Sequence, residues 1–374
     1  MRREQILLER MPLGSQASIT ALHFGNESLP KVYIQASLHA DEMPGSLAAY
    51  YLHQQFLQLE KENRLNAHIV LVPLCNPLGL GQLIDYMPIG RFHLGTGQNF
   101  NRLFTVPLRQ KLEEYLEKKA LVLGHDARKN TVALREAIRN ILVEIKPNNA
   151  VHSMHLSLLR LCYDADIVLD LHCDNIATVH LYTLPSTWHD FEPLARYLGS
   201  KCQLLSMDSG ADSFDEILST LWVGLQERYP SIPIPQALIS ATVELRGERD
   251  LSHKMAQKDA EGIIQFLAHK QYISLDKVSA LPPLLNPPHP LEGLYYVPAP
   301  CSGIIVYRVG VDEWVKVGQP LVDIVDPISL HITTVKSPYE GYIFALSGVR
   351  VAHAENKLLS ISCSHDIGSQ GLSP

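Results

Sequence analysis

The chain has 374 residues, 46% of them hydrophobic and 19% charged, with a formal net charge of −7. That length favours two domains over one, and the composition is that of an ordinary globular protein with ample material for a core. A negative balance without any basic run disfavours nucleic acid as a partner, and no apolar run approaches the ~18 residues of a membrane helix. The opening "MRREQILLERMPLG" has no apolar stretch of signal-peptide type. A cytoplasmic location with no membrane partner is therefore expected. Cys75, Cys162, Cys173, Cys202, Cys301 and Cys363 form no C-x-x-C pair and read as buried thiols rather than disulfides.

In chain order, "KVYIQA" (31–36), "HIVLVPL" (68–74), "DIVLDL" (166–171), "TVHLYTL" (178–184) and "QALISATVEL" (236–245) read as strands. They are rich in Val, Ile and Leu with little alternation, as expected of strands covered on both faces. Helical patterns fall between and after them, at 46–62, 106–124, 127–145, 214–229 and 255–272. Strands alternating with helices predict an α/β fold with a parallel or mixed sheet. The two helical segments at 106–124 and 127–145 look like an insertion that would cover a site mouth or make an oligomer contact; a homo-oligomer is compatible with this reading.

Residues 281–291 are proline-rich and predict an extended linker. Beyond them lies an internal repeat: "PCSGIIVYRV" (300–309) is echoed by "PYEGYIFALS" (338–347), and Leu321-x-x-Ile324 by Leu358-x-x-Ile361. Two similar β halves predict a pseudo-symmetric sandwich that resembles the biotinyl/lipoyl-type barrel. Its corresponding turn, "VDPISLH", has no Lys to modify, and Lys336 falls in the next strand. The expected division is therefore a catalytic domain over 1–280, a linker over 281–291 and a β-rich domain over 292–374.

The chemistry-bearing residues stand at predicted strand ends. "SLHADEMPG" puts His39 and Glu42 three apart just after the first predicted strand, and "DIVLDLHCDN" puts His172 at the end of another. Ligands collect beyond the carboxyl ends of strands in such sheets. His, Glu and His make a three-ligand set, the number usual in a catalytic zinc site, with Asp170 and Asp174 available to orient an imidazole. "GQNFNRLF" supplies Asn101 and Arg102, an amide and a guanidinium fork suited to a carboxylate. Glu244, in "ATVELRGERD", is the natural general base. A lone His, such as His93 or His253, is not expected to be a ligand.

Taken in order, H39-x-x-E42, N101-R102, H172 in "DLHCD" and E244 in "TVEL" resemble the succinylglutamate desuccinylase/aspartoacylase family, with "NPLG" at 76–79 also fitting. The resemblance implies a zinc carboxypeptidase-like fold over roughly 30–275: a mixed, mostly parallel sheet flanked by helices, plus a small all-β barrel-sandwich domain. It implies Zn2+ on His39, Glu42 and His172, Glu244 activating water, and Asn101 and Arg102 holding a substrate carboxylate. It also implies an Arg that stabilises the oxyanion, for which Arg91 is the candidate by position. Asn99 stands where the family often has an Asp that orients a zinc-bound His. The implied activity is zinc-dependent hydrolysis of the acyl-amide bond, or an ester, of a small N-acyl amino acid. A zinc carboxypeptidase acting on peptides and an inactive metabolite-binding protein of the same fold are the alternatives.

Overall fold

The computed structural model describes residues 1–104, 106–118, 121–207, 209–210 and 212–369. Its centre is a nine-stranded sheet built from β1 (Arg2–Leu7), β2 (Ser18–Phe24), β3 (Lys31–Ala36), β4 (His68–Val72), β5 (Ile167–Asp174), β6 (Val179–Thr183), β7 (Cys202–Leu205), β8 (Ile239–Gly247) and β9 (His289–Pro290). The order across it is β1-β2-β4-β3-β5-β8-β6-β7-β9. Five of the eight adjacent pairs are parallel; β1–β2, β2–β4 and β8–β6 are antiparallel. The expected mixed, mostly parallel sheet is therefore present.

Helices cover both faces, and this is why the central strands read as unbroken apolar runs. On one face, Phe56 of α1 (Met43–Lys61) packs with the strand residues Ile34, Leu71 and Leu169. Phe191 of α5 (Trp188–Leu198) and Phe266 of α7 (His253–His269) share that core. On the other face, Leu112 of α2 (Leu108–Glu117), Ile138 of α3 (Ala127–Glu144), Leu158 of α4 (Ala150–Cys162) and Trp222 of α6 (Phe214–Arg228) bury Tyr33, Val70 and Val168. Segment 106–145, read as an insertion that would cover a site mouth or make an oligomer contact, contributes Leu112, Leu134, Ile138 and Ile141 to the main core among the described residues.

A short hairpin pairs Leu83–Ile84 with Met87–Pro88, and beyond residue 293 the strands form two antiparallel sheets. One orders β10 (Leu294–Pro298), β17 (Lys357–Ser362), β15 (Gly341–Leu346) and β12 (Glu313–Val315); the other orders β14 (His331–Lys336), β13 (Pro320–Asp326), β11 (Gly303–Tyr307) and β16 (Val351–Ala352). They share a core containing Leu321, Ile324, Leu358 and Ile361. The repeat is physical as well as textual. A Cβ on Gly303 would lie 2.6 Å from Ile324 Cγ2, and one on Gly341 would lie 2.5 Å from Ile361 Cγ2. In both halves the glycine is the space its partner isoleucine needs. The proline-rich segment contributes β9, an edge strand of the main sheet, which is where proline is tolerated. Ile176–Ala177, just past the end of β5, pairs with β15 and stitches the two parts together.

Candidate active site

The site lies at the carboxyl ends of β3, β5 and β8, where parallel strands deliver three loops to one place. Glu42 immediately precedes α1, whose first turn contains Pro44 and Gly45. A Cβ on Gly45 would sit 2.8 Å from the Leu171 carbonyl oxygen. Only glycine lets the helix start lie against the end of β5, and that closeness brings Glu42 to His172. Asn76, in "NPLG", caps a helical turn by accepting from the Gly79 N–H at 2.8 Å and donates to the Leu38 carbonyl at 2.7 Å. It thereby fixes the backbone just before His39.

His39, Glu42 and His172 are buried and converge. One Glu42 oxygen lies 2.8 Å from His39 Nδ1 and the other 2.7 Å from His172 Nδ1. The far nitrogens are also occupied: His39 Nε2 donates to Asn99 Oδ1 at 2.9 Å, and His172 Nε2 to Asp170 Oδ2 at 2.9 Å. Asn99 Oδ1 also accepts from the Asn101 N–H, so the amide orientation is set. Asp170 is held by Gln35, and Gln35 by Tyr33. Asp174 instead accepts from its neighbour Asn175.

This pattern makes a chemical demand. With both Nε2 atoms donating, a neutral imidazole presents a bare lone pair at Nδ1. Two such lone pairs would face a carboxylate, an arrangement that a proton or a metal cation between them relieves. Burial disfavours a charged His39 and lowers its pKa. Burial opposes charge on His172 too, but Asp170 and Glu42 outweigh it and raise its pKa well above the usual value. Burial would raise Glu42; the imidazoles of His39 and His172 hold it well below the usual carboxylate range instead. Two nitrogens and a carboxylate are a donor set that suits zinc. Substituting Asp170→Asn should weaken metal affinity by about 10- to 100-fold, as loss of a ligand-orienting carboxylate does, with equilibrium dialysis as the measurement.

Glu244 lies opposite His172 in the β5–β8 pairing. Its Oε2 is buried and has no hydrogen-bond partner among the described residues. Burial, then the charge of Glu42, pushes its pKa up to about 8. Directly beyond it the strand bulges, with Arg246 at φ 69°. Arg246 forms an ion pair with Asp259 of α7, which anchors the bulge. Arg91 Nη1 lies 3.3 Å from His39 Nδ1 and 3.8 Å from Glu42 Oε1. Its loop is held in place by Ala40 N–H donating to the Gly90 carbonyl and Gly90 N–H donating to Asp41.

Asn101 and Arg102 are buried in the cavity wall. Asn101 Oδ1 is taken by the Phe214 N–H at the start of α6, and Arg102 donates to the Asn101 carbonyl. Their loop is supported by His155 of α4, which donates to the Phe100 carbonyl and stacks on Phe104 at 3.7 Å. The sequence reading gave His155 no role. His93 bonds Thr96 and His253 bonds Tyr51, both outside the cavity lining. Cys173 is buried, with its thiol pushed up by burial, and its N–H donates to Glu42.

All seven residues singled out from the sequence line one cavity of about 280 Å³. Three groups in its wall were not foreseen. Ser240 and Thr242 share a strand face with Glu244, and Asp215 and Glu216 come from α6. Leu291, Tyr296 and Lys357 reach in from the C-terminal part, with Lys357 Nζ 4.4 Å from the Tyr296 ring centre. Glu248, four residues past Glu244, is exposed, lines the cavity and is bonded to Asn175.

Comparison with known proteins agrees with this architecture. The family model for the succinylglutamate desuccinylase/aspartoacylase catalytic domain matches residues 28–134. A Shewanella amazonensis protein named for that family is 25% identical, with 97% of this chain and 98% of that chain covered and a TM-score of 0.83. A Shewanella frigidimarina counterpart is also 25% identical, with 96% of each chain covered and a TM-score of 0.80. The product-bound ectoine utilization protein EutE (DoeB) of Ruegeria pomeroyi shares the fold at 14% identity, with 96% and 94% covered and a TM-score of 0.66. No curated protein matches the chain. The matched segment holds His39, Glu42, Asn101 and Arg102, and the fold is shared end to end with proteins named for the succinylglutamate desuccinylase/aspartoacylase family, to which this chain is similar.

Proposed function

We propose that the protein is a zinc-dependent deacylase that hydrolyses the acyl-amide bond of a small N-acyl amino acid or a related carboxylate. The observation that carries this reading is the pair of inward-facing Nδ1 nitrogens on the Glu42 carboxylate, with the unpartnered Glu244 oxygen beside them. His39, Glu42 and His172 would hold Zn2+, which when bound supplies Lewis acidity and an acidified water. Glu244 takes a proton from the attacking water and returns it to the amine nitrogen as the carbon–nitrogen bond breaks. The products are a carboxylic acid and an amine. Arg91 faces the oxyanion, a contribution typically of ~3–4 kcal/mol per donor. Arg102 holds the substrate carboxylate with Asn101 beside it, so that binding energy is used for orientation.

A cavity of about 280 Å³ partly walled by the C-terminal strands favours a small substrate over a peptide chain. Residues 1–280 form the catalytic domain of zinc carboxypeptidase-like fold on this reading, 281–291 the linker, and 292–374 a lipoyl-like barrel-sandwich without a modifiable lysine. The setting is cytoplasmic, with no nucleic-acid or membrane partner. No helix among the described residues is long and apolar enough to cross a membrane. The test is a panel of N-acyl amino acids, their ester analogues and short peptides, run on zinc-loaded and chelated protein. Turnover of N-acyl amino acids that vanishes on chelation and returns with zinc is expected. Preference for peptides would point to the carboxypeptidase alternative, and metal-independent or absent turnover across the panel would overturn the reading.

A further inference from the structure

We propose a second divalent-metal site at the opposite end of the main sheet, formed by His23 of β2, His68 at the start of β4 and Glu27 in the turn after β2. One nitrogen from each imidazole and one Glu27 oxygen all lie within 4.8 Å of one another. The two histidines are buried at 7% exposure each, and His23 Nδ1 and His68 Nε2 are 3.1 Å apart. Two imidazole nitrogens sharing a tetrahedral ion at ~2.0–2.1 Å would be about 3.3 Å apart. The nitrogens therefore already stand near the spacing that an ion imposes.

The placement follows from strand register. His23 pairs with Val70, so His68, two residues earlier on β4, is its diagonal neighbour on the same face. Glu4 of β1, opposite Ala21, is the diagonal neighbour on the other side. Its Oε2 lies 3.0 Å from His23 Nε2, although out of hydrogen-bond alignment. A carboxylate there favours the proton on Nε2 and leaves the Nδ1 lone pair facing His68. A carboxylate behind a ligating imidazole is the usual support of a metal site. Arg2 binds one Glu27 oxygen, Oε1, at 2.9 and 3.1 Å, which leaves Oε2 for an ion. The nearby Lys31 is engaged by Asp164.

The role assigned to this ion is structural. His68 opens β4, so the cluster sits at the amino end of the parallel strands, away from the carboxyl-end cavity where His39, Glu42 and His172 converge. The β2–β4 junction consists of three residue pairs, and β1 beyond it is half exposed. An ion on His23 and His68 ties that short junction, with Glu4 extending the tie to β1.

The experiment titrates Zn2+ and Co2+ into full-length wild-type protein and a His39→Ala/His172→Ala variant, followed by calorimetry and the Co2+ absorption spectrum. Two equivalents should bind wild type. One should remain in the variant, with a nitrogen/oxygen spectrum free of thiolate charge transfer and a rise in melting temperature. Adding His23→Gln and His68→Gln should weaken that remaining equivalent at least ~100-fold, since two of its three ligands are gone. Glu27 is exposed, so Glu27→Gln tests the site without threatening the fold and should weaken binding about tenfold. A single equivalent in wild type that disappears in His39→Ala/His172→Ala would overturn the proposal and leave a plain imidazole–imidazole hydrogen bond. So would a second equivalent indifferent to both Glu27→Gln and the His23/His68 pair.

Discussion

Glu244→Gln should bind zinc as wild type does and lose turnover by about 10²–10⁴-fold, the range typical of removing a general base. Gln keeps the volume and polarity of the side chain but cannot accept the proton of an attacking water. Metal content by inductively coupled plasma spectrometry and turnover on the best N-acyl substrate check both halves; near-wild-type turnover would remove Glu244 from the base role. The same variant has a stability signature in chelated protein. In the folded state burial and Glu42 push the Glu244 pKa up to about 8, from 4.5 when unconstrained. The folded state therefore holds this proton more tightly than the unfolded state does. The associated stability is fully present below pH 4.5 and is lost as pH rises through 8. Urea melts at pH 6 and pH 9 should show chelated wild type losing more stability on that step than Glu244→Gln does.

The second large effect belongs to Glu42. Glu42→Gln should lower zinc affinity by at least ~100-fold and abolish metal-dependent turnover, because it removes the only anionic ligand of the set. Metal-free stability should fall as well at neutral pH, because the fold holds Glu42 ionised beside a protonated His172, and Gln leaves that buried imidazolium without one of its counter-charges. Urea melts of chelated wild type and variant check this. Unchanged or higher metal-free stability in the variant would show that Glu42 is no ion-pair partner in the metal-free fold.

Much of the frame was legible because burial on both faces leaves an unbroken apolar run. "KVYIQA" is a strand over the very residues read, and the central strands at 68, 167, 179 and 239 begin within three residues of expectation. β1 was not read because "RREQIL" is mostly exposed at a sheet edge and carries no apolar run, and β2 because Thr20 and His23 interrupt its apolar residues. α4 escaped because ten of its thirteen residues are buried, which erases the one-sided stripe that marks a helix. His39, Glu42 and His172 were legible from their strand-end contexts and their order along the chain. A polar signal was present for Ser240 and Thr242: they alternate with Ile239, Ala241 and Val243 and precede Glu244 on one face. Nothing local could announce Tyr296 or Lys357, whose place in the wall depends on how distant β strands dock.

That docking decides which parts of the cavity wall can vary independently of one another. Leu291 ends the proline-rich segment and Tyr296 and Lys357 arrive from beyond it, while His39, Glu42, His172 and Glu244 stand on or just past strands of the main sheet. The chamber is therefore composite, with its floor from the main sheet and part of its wall from the C-terminal strands. Substitutions at Leu291, Tyr296 or Lys357 can reshape the chamber without touching His39, Glu42, His172 or Glu244.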